Sequence, residues 1–238
     1  MGAYSDRVIA DGATHYWRLG EPSGTTAADS IAGGANAPGT ISAGVTLNQT
    51  GPLADGSTAM AFNGNTSTPK ITTVATVTLP AIASVEAWIR STSAAGSDYS
   101  ICSTAAVPPA CALYQANTGQ FGTSDHTANG VNGTTVIANG PWRHVVATWD
   151  GTTVRIYVDG VSEGSAGWAR AAITTACYIG TYLDTQQGWL GSIAEVAIYP
   201  TALSAPTIAA HYALRTATGG GGRSPIPWGA FAQQGSPA

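Results

Sequence analysis

Short runs of alternating apolar and polar residues, ended by residues that favour turns, determine what this chain can fold into. The clearest example is the segment WRHVVATWDGTTVRIYVDGVSEG at residues 142–164. Alternation with period two places the apolar side chains on one face of a β-strand. Asp150-Gly151 and Asp159-Gly160 end two of the runs, and Asp-Gly pairs tolerate the positive φ of a tight hairpin. The segment therefore predicts three antiparallel strands.

The same pattern recurs through most of the 238 residues, which include 30 glycines and 13 prolines. In SVEAWIR, Val85, Ala87 and Ile89 point to one face, and the residues between them point to the other. Further strands are predicted at residues 16–19, 59–63, 100–102, 112–115, 134–137, 177–180 and 194–199. Many short strands at regular spacing are typical of a sandwich. We therefore predict an all-β fold, a two-sheet antiparallel jelly roll.

One helix is predicted near the end of the sandwich, from about Ser204 to Arg215. Ser204 can cap it, and Pro206 fits its first turn. Ile208 and Tyr212 are four residues apart, so they share one face of the helix. We expect this short helix to lie against a sheet, and the jelly-roll domain to span residues 1–216.

Residues 217–238 form a different kind of segment, a glycine-rich joint followed by a peptide rich in proline and aromatic residues. Four consecutive glycines predict a flexible joint. Pro225 and Pro227 favour an extended backbone, and Trp228 and Phe231 supply apolar surface worth about 2 to 3 kcal/mol each when buried. We predict that this tail docks on a neighbouring subunit, the alternative being that it folds back on its own sheet.

The composition excludes several classes of partner. Only 9% of the residues are charged and the net charge is -4, so no basic face for nucleic acid is expected. No apolar run approaches the roughly 18 to 20 residues of a membrane span, and we expect no membrane insertion. The N-terminal residues lack the basic head and apolar stretch of a secretory signal.

Three cysteines, Cys102, Cys111 and Cys177, are too few for a disulfide scaffold and lack the spacing of a zinc site. Cys102 and Cys111 flank STAAVPPA, in which two prolines indicate a turn between strands. A bridge across that hairpin would contribute roughly 3 kcal/mol in the chain-entropy model. The alternative is a set of reduced, buried thiols.

Several phrases in order resemble the laminin G-like members of the concanavalin A-like lectin and glucanase superfamily. They are HYWRLGEPSGTTAADS, AFNGN, SVEAWIR, WRHVVATWDGTTVRIYVDG, YIG, WLGSIAEVAIYPTALS and IAAHY. The resemblance implies a jelly roll of one flatter and one concave sheet. Two positions depart from the family pattern: Ala194 stands where the first residue of an acidic pair is usual, and Thr207 stands where a glutamate is common.

Enzymatic activity is not expected, although glucanases share the fold. Glycoside hydrolysis needs two carboxylates about 5 to 10 Å apart, and Glu86 and Glu195 are the only glutamates in predicted strands. The Glu-x-Asp-x-Glu pattern of the glucanases does not occur. His15, His126, His144 and His211 lie in no motif of a nucleophilic triad. We predict no catalytic residues, and we interpret the two glutamates as hydrogen-bonded structural groups.

The resemblance also implies two kinds of ligand site. Laminin G-like domains often hold a calcium ion at the rim, for which Asp29 and Asp184 are weak candidates, while no cofactor is otherwise expected. Sugar sites commonly stack a pyranose on an exposed aromatic ring. Trp168, Tyr182 and Trp189 lie in or beside glycine-rich connections and are the candidates for carbohydrate binding, the alternative being packing under a loop or a subunit contact.

Three functions share this fold: a virion surface protein, a bacterial carbohydrate-binding module or adhesin, and a glycosidase. The motif order looks like domains of virion proteins from phages of GC-rich bacteria. One lysine against eight arginines agrees with such a source. We therefore expect a non-enzymatic head decoration or tail component at the virion surface, the alternative location being extracellular. Its expected partners are capsid or tail subunits contacted through the tail, further copies in a homo-oligomer, and a glycan.

Overall fold

The chain folds into a sandwich of two antiparallel sheets, each with eight strands. The computed structural model describes residues 2–31, 36–65, 70–105, 112–182 and 187–218. In chain order the strands are β1 (His15–Trp17), β2 (Thr26–Ala27), β3 (Gly39–Ile41), β4 (Thr46–Thr50), β5 (Thr58–Asn63), β6 (Ile71–Thr73), β7 (Val77–Leu79), β8 (Ala83–Ser91), β9 (Tyr99–Thr104), β10 (Ala112–Gln115), β11 (Gln120–Ser124), β12 (Gly130–Val136), β13 (Arg143–Trp149), β14 (Thr153–Val158), β15 (Val161–Gly167), β16 (Ile173–Thr175), β17 (Cys177–Ile179) and β18 (Leu190–Tyr199).

The first sheet has the order β15-β14-β13-β8-β18-β5-β4, and β1 also pairs with β18. The second sheet has the order β12-β11-β10-β9-β17-β6-β3-β2, and β16 and β7 form a separate pair. Each strand predicted from the alternation is present, with ends that differ by a few residues. The predicted two-sheet β sandwich is confirmed.

The hairpins at the Asp-Gly pairs also follow the prediction. β13 pairs with β14, and β14 with β15, all antiparallel. Asp159 and Gly160 join β14 to β15 with φ angles of 53° and 83°. Two consecutive residues with positive φ form the turn whose twist matches that of the strands it joins.

Two apolar clusters lie on opposite faces of the first sheet. The larger one fills the space between the sheets, where Val85, Ala87 and Ile89 point as predicted. The smaller one covers the outer face, where Trp88 and Tyr199 pack beneath two helices. Because both faces of this sheet are buried, the alternation in β8 separates two cores and does not separate core from solvent.

The two helices are α1 (Ala3–Ala10) and α2 (Ala205–Ala213), and a 3-10 turn at Leu214–Thr216 follows α2. The predicted start of α2 is confirmed, because the Ser204 hydroxyl accepts a hydrogen bond from the Thr207 amide, at 3.3 Å. No helix in the described residues is long and apolar enough to cross a membrane.

Helix α1 was not predicted. Its only sequence signals are Tyr4 and Val8, four residues apart, and Asp6 in the first turn. The N-cap residue is Gly2, which has no side chain that could cap the helix. The helix exists because Tyr4 and Val8 are buried against the first sheet, a contact with distant parts of the chain.

Candidate functional site

The Glu86 carboxylate is fully buried between the first sheet and the two helices. It accepts hydrogen bonds from the Tyr199 hydroxyl at 2.7 Å and the Tyr4 hydroxyl at 3.1 Å. The Nδ1 atom of His211 lies 3.0 Å from Glu86 Oε2, and His144 Nε2 lies 3.4 Å from the same oxygen. We call these five side chains the Glu86 network. It joins α1, α2, β8, β13 and β18.

Charge stabilises the ionised form of Glu86. Burial acts to raise the pKa of Glu86, but hydrogen bonds and charge from His144 and His211 lower it well below its usual value. Burial acts to lower the pKa of His211, yet Glu86 and Asp11 raise it. Asp11 Oδ2 lies 2.8 Å from His211 Nε2 and 2.6 Å from Arg7 Nε. The buried charge is therefore paired in a chain that reaches the surface.

Glu195 lies at a β-bulge in β18, where the strand stops pairing with β5 and starts pairing with β1. Its φ of 54° is unusual for a residue with a side chain. The Tyr16 hydroxyl donates a hydrogen bond to Glu195 Oε2, and Arg18 Nε is 3.7 Å from Oε1. Burial raises the pKa of this carboxyl to about 7, although Tyr16 and Arg18 act to lower it.

Neither Glu86 nor Glu195 is placed for glycoside hydrolysis. The prediction that they are the only strand glutamates is wrong, since Glu163 lies in β15, where its carboxylate accepts hydrogen bonds from the Thr134 and Thr135 amides. Glu86 and Glu195 both have a relative exposure of 0%. Glu86 is enclosed by the helices, and Glu195 is held by Tyr16 at the bulge. A general acid or base must reach the bond it acts on, within about 3 Å or through one water. The interpretation of both residues as hydrogen-bonded structural groups agrees with these positions.

Asp29 also holds the fold together. Its carboxylate accepts hydrogen bonds from the backbone amides of Tyr16, Ile31 and Ala37, and His15 Nδ1 lies 2.7 Å from Oδ2. A calcium ion would have to displace these partners, so the donors around Asp29 do not fit a calcium site. Asp184 lies outside the described residues. Among the residues that are described, no group of three or more His, Cys, Asp or Glu could hold a metal.

The aromatic candidates for sugar stacking are buried. Trp168 and Trp189 have relative exposures of 4% and 0%, and both belong to the core between the sheets. Trp168 packs edge-on against Trp149, with ring centroids 5.7 Å apart. The expectation of exposed rings is wrong for these two residues, because their glycine-rich connections turn into the sandwich. A sugar could reach them only after the loops move.

Tyr182 lies in a different environment, three residues after the end of β17. The centroid of its ring is 4.1 Å from the centroid of the His126 ring. The centroids of the His126 and Tyr114 rings are 5.6 Å apart. Burial lowers the pKa of His126, and its Nε2 has no hydrogen-bond partner in the described part of the chain. The relative exposure of Tyr182 is 8%, and its role in carbohydrate binding stays a prediction.

Two further predictions concern residues outside the described ranges. Cys111 lies outside the described residues, so the bridge from Cys102 to Cys111 stays a prediction. Cys102 and Cys177 are buried free thiols whose sulfur atoms are 3.4 Å apart. The tail residues Pro225, Pro227, Trp228 and Phe231 also lie outside, as does most of the predicted segment 217–238.

An open groove of about 490 Å³ lies at the rim of the sandwich. We call it the rim groove. Four chain segments form it: the end of β5, the entry to β9, the turn between β10 and β11, and the entry to β18. The residues that line it are Gly64, Gly96, Ser97, Asp98, Tyr99, Asn117, Gln187 and Gly188.

Hydrogen bonds that involve backbone groups fix the walls of the rim groove. The Asn117 amide donates to Asp98 Oδ1 at 2.7 Å, and the Gly96 amide donates to the Asn117 carbonyl at 2.6 Å. Gln187 has a φ of 50°, and its carbonyl accepts from the Ser100 amide at 2.7 Å. The loop before β9, the β10–β11 turn and the segment before β18 are thereby tied together.

Sequence analysis did not find the rim groove. Asp98 and Asn117 are 19 residues apart and meet only because β9 and β10 form a hairpin. The signal available was weak: a polar Gly-Ser-Asp-Tyr segment between two strands and an Asn in a turn. A second open groove of about 390 Å³ is lined by Arg18, Glu21, Ser30, Thr58 and three small residues.

Comparison with known proteins identifies the family. Residues 62–209 match the laminin G family that is described as the concanavalin A-like lectin/glucanases superfamily. No curated protein matches the chain.

Similar solved structures include the receptor-binding domain of botulinum neurotoxin type G, with a TM-score of 0.64, 14% identity and coverage of 85% of this chain and 51% of that chain. The binding domain of paraclostridial mosquitocidal protein 1 has a TM-score of 0.63 and 13% identity, with 86% and 52% covered. The ligand-binding domain of botulinum neurotoxin serotype D, in complex with N-acetylneuraminic acid, has a TM-score of 0.64 and 14% identity, with 87% and 52% covered. This chain spans about half the length of each, and the likeness shows a shared fold.

Proposed function

The chain belongs to the concanavalin A-like lectin/glucanases superfamily, and from that premise we propose that it is a non-enzymatic surface protein of a tailed-phage virion that binds glycans. It serves as a head decoration or a tail component. The observation that carries the non-enzymatic part is the position of Glu86 and Glu195, both buried and held by other side chains. The fold hosts binding and catalysis alike, so these positions and not the fold favour binding.

The glycan-binding part is supported by the lectin-like sandwich and by the rim groove. An open, polar groove with fixed walls suits a hydroxyl-rich ligand, because sugars need many hydrogen-bond partners. The complex of the serotype D domain with N-acetylneuraminic acid shows that a protein of similar fold binds a sugar. Both points support glycan recognition as the activity of the folded domain.

The virion part is supported by sequence. The order of motifs from HYWRLGE to IAAHY resembles domains of phage virion proteins, and arginine outnumbers lysine by eight to one, as in GC-rich genomes. In this proposal, the segment after residue 216 docks on capsid or tail subunits through Trp228 and Phe231. The jelly roll is then displayed at the virion surface.

Electron cryomicroscopy of the particle or assembly that contains the protein tests this proposal. We expect density for the sandwich at fixed, repeated positions on the capsid or tail. A chain lacking residues 219–238 should leave those positions empty. Purified particles without the protein, together with protein bound to the bacterial envelope, would contradict the virion role and favour a bacterial carbohydrate-binding module or adhesin.

A further inference from the structure

We propose that Cys102 and Cys177 form a disulfide bond between β9 and β17 when the protein meets a small-molecule disulfide as oxidant. The bond would cross-link the interior of the sandwich, and it does not depend on what the domain binds. Three observations support it: the short distance between the sulfur atoms, the shared face of the two side chains, and the space beside them.

The two sulfur atoms are close to bonding distance. Cys102 Sγ and Cys177 Sγ lie 3.4 Å apart, and both thiols are free. An S–S bond is about 2.04 Å long, so these atoms need to approach each other by about 1.4 Å. Because the sulfur lies off the Cα–Cβ axis, a small rotation of each side chain about that bond covers the distance.

The fold itself brings the two cysteines together. β9 and β17 are neighbouring antiparallel strands of the second sheet, in which Ile179 is opposite Cys102 and Thr104 is opposite Cys177. The cysteines are therefore diagonal neighbours on one face of the ladder. Both belong to the core between the sheets, with relative exposures of 4% and 2%. Their contact thus follows from the strand register and not from a loop.

The packing around the pair leaves room for the sulfur atoms to move. A cavity of about 10 Å³ lies beside them, and both cysteines line it together with Val77, Leu79 and Val85. Protein interiors are close-packed, so side chains without such a space can shift only by displacing their neighbours. The cavity is at the lower limit of what one water needs, so it serves as slack and not as a ligand site.

The chemistry is a thiol–disulfide exchange in two steps. One cysteine thiolate attacks a sulfur of oxidised glutathione and releases one glutathione thiol; the second cysteine then attacks the mixed disulfide and releases the other. The protein loses two electrons and two protons, and the oxidant becomes two thiols. Contact with Cys177 and burial raise the pKa of the Cys102 thiol, and only a thiolate attacks. The folded chain is therefore oxidised slowly, and the bond forms faster when unfolding exposes the thiols.

The bond would stabilise the whole sandwich. The two cysteines are 75 residues apart, and the chain between them contains strands of both sheets, from β10 to β16. A cross-link that closes so long a loop restricts the unfolded chain strongly. Thiols stay reduced in the cytosol of most cells, whereas disulfides persist in oxidising surroundings. The domain therefore becomes more stable when it passes from the first environment to the second.

Refolding of Cys111→Ser in a glutathione redox buffer tests the proposal. This full-length variant has Cys102 and Cys177 as its only cysteines. It is unfolded in urea with reductant, refolded with oxidised and reduced glutathione, alkylated, and mapped by mass spectrometry. We expect a peptide that links Cys102 to Cys177, no alkylated thiol, and a melting temperature about 10 °C above that of the same variant refolded in dithiothreitol.

The double variant Cys111→Ser/Cys177→Ser is the matched control, and its melting temperature should be the same in both buffers whatever its absolute stability. Wild type should give the same linked peptide as Cys111→Ser. A wild-type peptide that links Cys102 to Cys111 would overturn the proposal in favour of the hairpin bridge. Free thiols or intermolecular dimers of Cys111→Ser in the redox buffer, or a bridged chain that melts below the reduced one, would overturn it as well.

Discussion

Replacing Glu86 by alanine should lower the free energy of unfolding by about 3 to 5 kcal/mol, the usual cost of removing one partner from a buried ion pair. The carboxylate holds two tyrosine hydroxyls and lies within 3.4 Å of both His144 and His211. Without it, these groups stay buried with no acceptor between them. Chemical denaturation followed by tryptophan fluorescence measures the change.

Asp6→Ala is the control for this variant, since Asp6 is exposed and its removal from the first turn of α1 should cost about 1 kcal/mol or less. If Glu86→Ala cost no more than this control, the network would not hold the helices on the sheet. The network would then be a set of contacts without net stabilisation.

The second large effect is a loss of stability as the pH rises from about 5 to about 8. Glu195 has an ordinary pKa of 4.5 and a folded pKa of about 7, so between these values the folded state binds a proton that the unfolded state has lost. Stability therefore falls across this range, by up to about 3 kcal/mol. His211 acts in the same direction: its raised pKa gives stability below 6.5 that is lost as the pH rises through the folded value.

His126 opposes this trend, because burial lowers its pKa, so below the ordinary value of 6.5 the unfolded state binds a proton that the folded state has lost. Carboxyl groups with lowered pKa values do not oppose it. The pKa values of Glu86, Asp11 and Asp29 are lowered, so their contributions are complete above their ordinary values of 3.8 to 4.5 and are lost only in more acidic solution. Glu195→Gln carries no proton to lose and should flatten the profile between about pH 5 and 7, leaving the His211 contribution. Denaturation curves at a series of pH values check this; parallel profiles for wild type and variant would show that Glu195 does not titrate in this range.

Much of the fold is local in origin, which is why the sequence predicts it. Strand alternation in residues 142–160 and the turns at Asp150 and Asp159 follow from backbone geometry within a few residues. The cap at Ser204 is equally local. These features do not depend on which distant segments pack together.

The features that were not predicted from the sequence depend on contacts between distant residues. Trp168 and Trp189 lie in connections that look like surface loops, yet both pack inward, because the space between the sheets is filled by whichever large side chains reach it. Helix α1 depends in the same way on the first sheet. Asp98 and Asn117 form a groove only once β9 and β10 have paired. No local pattern in a single sequence predicts such contacts between distant residues.

We propose that this member of the concanavalin A-like lectin/glucanases superfamily binds a glycan without cleaving it. Prolonged incubation of the wild-type protein with an oligosaccharide that it binds, followed by mass spectrometry of the sugar, tests this most directly. We predict saturable binding and recovery of the oligosaccharide unchanged, with the same result for Glu86→Gln and Glu195→Gln. Release of shorter sugars by the wild type, abolished by either substitution, would contradict the claim.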